Sequence, residues 1–222
     1  MSRMLPSGDT YAPPIAPLTV LHADADLLVV DKPAGLLSVP GKNPGLADCL
    51  EARVRAEFPE ALLLHRLDMD TSGVMVFART RAAQRHVARQ FERRQLGKSY
   101  VARVWGRPAQ DQGRIELPLI CDWPRRPLQK VCKANGKPSV TEWRVQAEEG
   151  AVTRLQVTPL TGRSHQIRVH LLSLGHPIAG DRFYARGRAL DAAQRLQLHA
   201  HSLTLRHPDG GAPACFTAAV PF

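Results

Sequence analysis

The sequence predicts an α+β fold: a single domain with a central, largely antiparallel mixed sheet flanked by helices and loops. Two observations carry that expectation. Short apolar runs of strand length follow one another along the chain, separated by turns bearing Gly, Pro and Asp, while only three segments repeat their apolar residues at the helical period. The 222 residues, 44% hydrophobic and 23% charged, are enough to bury a core and exclude a chain disordered throughout.

Residues 1–17 are rich in Pro, lack periodicity and read as a flexible N-terminal arm, which leaves 18–222 for the domain. Strands are expected over 18–22 and 27–31, followed by a turn through Lys32-Pro33-Ala34-Gly35. Leu46, Cys49, Leu50 and Val54 recur at helical spacing and predict a helix over 46–58. Apolar strands at 61–64 and 73–78 flank a strongly polar turn. A second helix is expected from 81 to about 94, then an alternating strand at 100–105. Further strands are expected at 114–117, 140–146, 152–159, 197–205 and 215–219. A helix over 165–174 interrupts them, with Ile167, Leu171 and Leu174 as its apolar stripe and Arg168 beside that stripe.

The formal net charge is +10, and 24 of the 30 basic residues are arginine. Guanidinium binds phosphate bidentately and stacks on bases, so the excess suggests nucleic acid, although a GC-rich genome produces the same bias. Composition alone weighs the two equally. The four cysteines are scattered with no C-x-x-C, and His165/His170 and His199/His201 lack metal-site spacing, so neither zinc nor any other metal or cofactor is expected. No apolar run approaches the ~20 residues of a membrane helix, and the N-terminus lacks a signal-peptide core; a cytoplasmic protein is expected.

The densest chemistry lies in Leu64-His65-Arg66-Leu67-Asp68-Met69-Asp70-Thr71-Ser72-Gly73. Asp68, Asp70 and Ser72 open like a calcium loop, but the position that needs a bidentate Glu is Arg79, and a strand follows where a helix is required. A glycosidase pair of Asp68 and Asp70 is disfavoured because two carboxylates so close in sequence do not flank a sugar. A capped turn, with Asp70 and Ser72 accepting backbone N–H groups, explains those two residues equally well.

His65-Arg66-Leu67-Asp68 followed by Thr71-Ser72-Gly73 resembles the HRLD signature of the RluA-type pseudouridine synthases. Val30-Asp31-Lys32-Pro33-Ala34-Gly35-Leu36 is similar to the upstream motif of that family, Lys98-Ser99-Tyr100-Val101-Ala102 to its tyrosine strand, and Gly136-Lys137-Pro138 to a later loop, with Pro138 where many members carry Ala. Thr161-Gly162-Arg163-Ser164-His165-Gln166-Ile167-Arg168-Val169-His170 and Gly175-His176-Pro177-Ile178-Ala179-Gly180-Asp181 complete the resemblance, which spans roughly residues 18–205.

The resemblance implies a pseudouridine-synthase-like catalytic domain without the S4 domain of many relatives, and an isomerase that turns uridine in RNA into pseudouridine without a cofactor. Asp68 is then the essential carboxylate, Arg168 its guanidinium partner and Tyr100 the residue stacked on the target base. Arg66 fills the gap left by the flipped nucleotide. His65, Arg163 and His165 join the RNA-binding set with Arg125 and Arg126, whose setting beside Trp123 suits an RNA loop. The helical stretch 79–98, with seven basic residues against Glu92, is a further candidate RNA contact. The small size, Leu119-Ile120-Cys121-Asp122-Trp123-Pro124 and Lys130-Val131-Cys132 resemble the dual-specificity branch, which implies a hairpin loop of 23S rRNA and the anticodon stem-loop of some tRNAs as substrates. A non-catalytic RNA-binding or chaperone protein on the same fold is the rival from another class. Intact Asp68, Tyr100 and Arg168 speak against it.

Overall fold

The structure, a computed structural model, describes residues 10–222. These divide into two compact units: one comprises the chain up to Lys98 together with Ala200–Pro221, the other Ser99–His199 with Phe222.

The first unit is organised on two strands, β2 (Leu27–Lys32) and β4 (Ser72–Ala78), paired antiparallel from Leu27 opposite Ala78 to Lys32 opposite Gly73. Leu27–Val30 and Val74–Ala78 are all buried, so both faces are covered and the strands read as continuous apolar runs instead of alternating ones. β1 (Thr19–Ala23) pairs with β2, and the two-residue β3 (Leu62–Leu63) pairs with β4. On its other side β4 neighbours β11 (Leu198–Arg206), which carries β12 (Pro213–Thr217).

The helix α2 (Arg81–Glu92) packs on β3 and β4, with Val87 joining Val29, Val74, Val76 and Leu203. Thr80 caps it by accepting the Ala83 N–H at 3.0 Å, and Gln90 exchanges 2.7 Å hydrogen bonds with both backbone polar groups of Arg206. The first helix, α1 (Leu50–Glu57), begins four residues after the expected start. Pro44–Leu46 forms a 3-10 turn, and the Cys49 sulfur takes the cap position. The expected N-terminal arm is only partly within view, since its first nine residues lie outside the described ones. Tyr11 is buried, donating to Asp48 O at 2.8 Å and accepting from Leu37 N at 3.0 Å, so this part of the arm is anchored.

In the second unit, β5 (Gly97–Trp105), β10 (Val152–Pro159), β9 (Val140–Glu149) and β6 (Gln112–Glu116) form an antiparallel sheet in that order. The helix α3 (Gln166–Ser173) buries Ile167 and Leu171 among Ala102, Trp143, Leu155 and Val157. Leu174, expected on that stripe, is 39% exposed because the helix ends before it. A hairpin of β7 (Leu119–Cys121) and β8 (Gln129–Val131) and a four-residue α4 (Arg188–Asp191) were not expected from the sequence.

Candidate active site

In the first unit, the turn between β3 and β4 holds Asp68 by fixing the residues on either side of it. Ser38 Oγ donates to Leu67 O at 2.6 Å and accepts Leu67 N–H at 3.1 Å, so one hydroxyl satisfies both backbone groups of the preceding residue. Met69 O, on the following residue, accepts Gly35 N–H at 2.9 Å and Lys32 Nζ at 2.8 Å. Lys32 is fully buried, and its ammonium also donates to Leu36 O at 2.6 Å and Pro33 O at 2.9 Å. A buried ammonium is tolerated only where its donors are satisfied, and these three carbonyls tie the 33–36 turn to the Asp68 turn. Thr71 N–H donates to Asp68 O at 3.1 Å and closes the turn. Gly73, at φ +117°, then lets the chain enter β4. A Cβ there would stand 2.2 Å from Ala200 O, so only glycine fits.

His65, expected to meet RNA, is engaged from within. Its Nε2 accepts the Val76 N–H at 3.0 Å, and its ring lies 5.1 Å from that of Phe91 on α2. Burial, aided by the Lys98 charge, pushes its pKa down to about 4, so the ring is neutral at physiological pH and carries its proton on Nδ1. The acceptor role towards β4 is what turns the ring inward. Arg66, by contrast, is exposed and has no ion-pair partner among the described residues.

In the second unit, Arg168 lies on α3 and is only 1% exposed. Its Nε and Nη2 donate to Asp181 Oδ2 and Oδ1 at 2.8 and 2.6 Å, and the guanidinium sits 5.0 and 5.2 Å from the rings of Phe183 and Tyr184. The sequence reading placed Arg168 at a helix edge. It is instead buried in a bidentate pair, the fork geometry that carboxylates favour. Asp181, Phe183 and Tyr184 are partners that the sequence does not announce. Asp181 lay within a quoted motif, but no local signal joins it to Arg168 thirteen residues earlier.

His165 caps α3 in the left-handed region, at φ +53°, with Nδ1 bonded to the Tyr184 hydroxyl at 2.7 Å. Gln166 Oε1 accepts Arg163 N–H at 3.0 Å and the Thr161 hydroxyl at 2.7 Å, fixing the backbone that carries Arg163. The Arg163 Nε is buried without a hydrogen-bond partner among the described residues. Tyr100 is half-buried on β5 opposite Val157 and packs against the unit's core.

Between β7 and β8, Trp123 is 64% exposed and carries the Arg126 guanidinium 4.3 Å above its ring. Asp122 holds Arg125 Nε at 2.7 Å and Lys130 Nζ at 3.2 Å; burial works to raise its pKa, but these two cations lower it on balance. Among the described residues, no group of three His, Cys, Asp or Glu side chains is placed to hold a metal.

A sequence model of a family described as RNA pseudouridylate synthase matches residues 26–173. The chain belongs to the RNA pseudouridylate synthases. The dual-specificity RNA pseudouridine synthase RluA of Yersinia pestis is 52% identical over 206 residues, covering 92% of this chain and all of that relative. The protein of the same name from Escherichia coli K12 is 51% identical over 217 residues, covering 96% and 99%. Among solved structures, human RNA pseudouridylate synthase domain containing 1 superposes with a TM-score of 0.77 at 29% identity, covering 92% of this chain and 84% of that one. Human RNA pseudouridylate synthase domain containing 4 gives 0.74 at 25%, covering 91% and 88%. As a pseudouridine synthase the chain is an isomerase acting on RNA, and the non-catalytic alternative falls away.

Proposed function

We propose that this pseudouridine synthase has dual specificity, isomerising a uridine in a hairpin loop of 23S rRNA and one in the anticodon stem-loop of certain tRNAs. The carrying observation is identity of about half over nearly the whole of both chains with enzymes named for dual specificity. We place the enzyme in the cytoplasm with its RNA; none of the described helices is long and apolar enough to cross a membrane.

In the reaction the N1–C1′ bond breaks, the base turns within the site, C5 bonds to C1′, and the proton lost from C5 balances the one gained at N1. Asp68 supplies the carboxylate beside the target nucleotide. The clamp on Leu67 and Met69 supports this role, because a reacting carboxylate must be held to within a fraction of an ångström. Arg168 is the partner of Asp68. Tyr100 stacks on the base, and Arg66 occupies the space of the flipped nucleotide. Arg163, His165, Arg125 and Arg126 meet the RNA, with Trp123 offering a ring to an unstacked base. His65 serves from behind, joining the motif turn to β4.

Position-resolved pseudouridine mapping of total tRNA and 23S rRNA treated with wild type or Asp68→Ala tests the assignment. Sites present in both RNAs only with wild type are expected. Asp68-dependent sites in one RNA class alone would end the dual-specificity reading, and none in either would end the assignment of Asp68.

A further inference from the structure

The helix α2 carries a row of arginines that the fold itself does not use. Arg81, Arg85, Arg89 and the capping Arg93 recur at four-residue intervals, all exposed, and at ~1.5 Å rise and about 3.6 residues per turn they form a stripe ~18 Å long that winds about a third of the way round the helix. Several arginines elsewhere are matched by acids, among them Arg53 by Asp48, Arg79 by Glu60, Arg114 by Glu116 and Glu142, and Arg154 by Glu149. On α2, Arg85, Arg89 and Arg93 have no carboxylate partner among the described residues, and Arg81 bonds only the Gln84 amide oxygen at 3.1 Å.

Like charges at i, i+4 oppose the helix. Arg81 stands in a first turn without an acid, at the end where the helix dipole disfavours a cation. An arrangement that costs the isolated fold stability implies a polyanion that neutralises it. The row also offers no exposed ring on which a base could stack, since Phe91 is packed inward. That separates it from the Trp123–Arg126 loop and suits duplex phosphates rather than splayed bases. Membrane binding would need an apolar face, but Ala83 and Val87 are buried in the unit's own core.

We infer that the α2 arginine row is a second RNA surface, which tracks the phosphate backbone of the duplex stem beneath the modified loop. The inference rests on the stem-loop substrates proposed above. The same unit carries Asp68, and the ring contact of Phe91 with His65 joins α2 to the motif turn.

The test measures binding of wild type and a variant with Arg81, Arg85, Arg89 and Arg93 all changed to Gln, on a long stem-loop and on the same loop with its stem trimmed, at several salt concentrations. Each neutralised phosphate contributes ~0.7–0.9 to the slope of log affinity against log salt, so loss of the row should lower the long-stem slope by about 3. Affinity for the long stem should fall at least ~tenfold at low salt, with the trimmed RNA affected much less. A second variant with the four residues changed to Lys should keep the slope, and melting of each variant establishes that it is folded. An unchanged slope in the Gln variant would overturn the inference. So would a loss equal on both RNAs, or row-dependent binding to phosphatidylserine vesicles with RNA binding unaltered. These isotherms require no turnover, so failure of the substrate assignment, read by pseudouridine mapping, is distinguishable from failure of the row.

Discussion

Ser38 lies 29 residues before Leu67, yet its one hydroxyl satisfies both backbone groups of the residue that precedes Asp68, the proposed reacting carboxylate. Ser38→Ala removes a single oxygen and leaves a buried donor and acceptor unpaired, each costing ~1–3 kcal/mol unless the turn shifts to recover water. A shifted turn moves Asp68. The expected outcome is a lower Tm and at least a ~tenfold loss in kcat, with KM for RNA changed much less. Ser38→Thr, which retains the hydroxyl, is expected to recover part of both. If Ser38→Ala turned over RNA at the wild-type kcat, the clamp would have no part in positioning. Asp68 could be singled out from the sequence because it stands in a contiguous motif that resembles a family signature. Ser38 could not, because a hydrogen bond across 29 residues leaves no local trace and a lone serine in a loop is unremarkable chemistry. His65 shows the opposite limit: its motif position was plain, but its inward acceptor role depends on where β4 places the Val76 N–H.

At the scale of elements, long periodic segments were legible and short or polar ones were not. The strands at 27–31, 73–78 and 152–159 fell within a residue of their observed bounds, because apolar runs of that length have few alternative structures. The β7–β8 hairpin escaped notice because three-residue strands amid prolines and cations carry no readable period. The loop after α3 depends on a pair of elements that periodicity does not connect, through Arg168 and Asp181. Asp181→Asn removes the negative charge that two N–H groups of a 1%-exposed guanidinium face, a loss expected to cost ~3–5 kcal/mol and to be read as a large fall in Tm. Replacing both partners by apolar residues of similar bulk, Arg168→Met with Asp181→Leu, should restore much of that stability while pseudouridine formation stays lost. An active double variant would remove Arg168 from the reaction. A double variant no more stable than Asp181→Asn would mean that the pair holds the loop by geometry that packing cannot replace.

For the molecule as a whole, the charge that composition left ambiguous divides by environment: many arginines are tied to acids of the fold, and the α2 row has no carboxylate partner among the described residues. The titrating groups set a global pH dependence as well. His65 is pushed down to about 4 by burial and the Lys98 charge, and burial lowers His170 too. Between about pH 4 and 6.5 the unfolded chain therefore binds protons that the folded chain refuses, and stability rises with pH across that window. The His65 contribution is at most about 3.5 kcal/mol, from the gap between the ordinary ~6.5 and about 4 at ~1.4 kcal/mol per tenfold in proton affinity. His207 works in the other direction. Burial alone would lower its pKa, but the 3.0 Å contact with the Asp24 carboxylate raises it on balance. The stability it contributes is complete below its unfolded pKa of about 6.5 and is lost as pH rises through its higher folded value. The Asp24 carboxyl is itself burdened by burial but lowered overall by hydrogen bonds from His22, Leu27, Asp26 and His207, so its contribution is lost only as pH falls well into the acid range. Thermal melts across pH 4–8 should accordingly peak near pH 6.5, with a steep acid limb and a shallower alkaline one. In His65→Gln, whose side-chain oxygen can still accept the Val76 N–H but cannot titrate, the acid limb should flatten. A limb as steep as that of the wild type would place the responsible proton elsewhere than on His65.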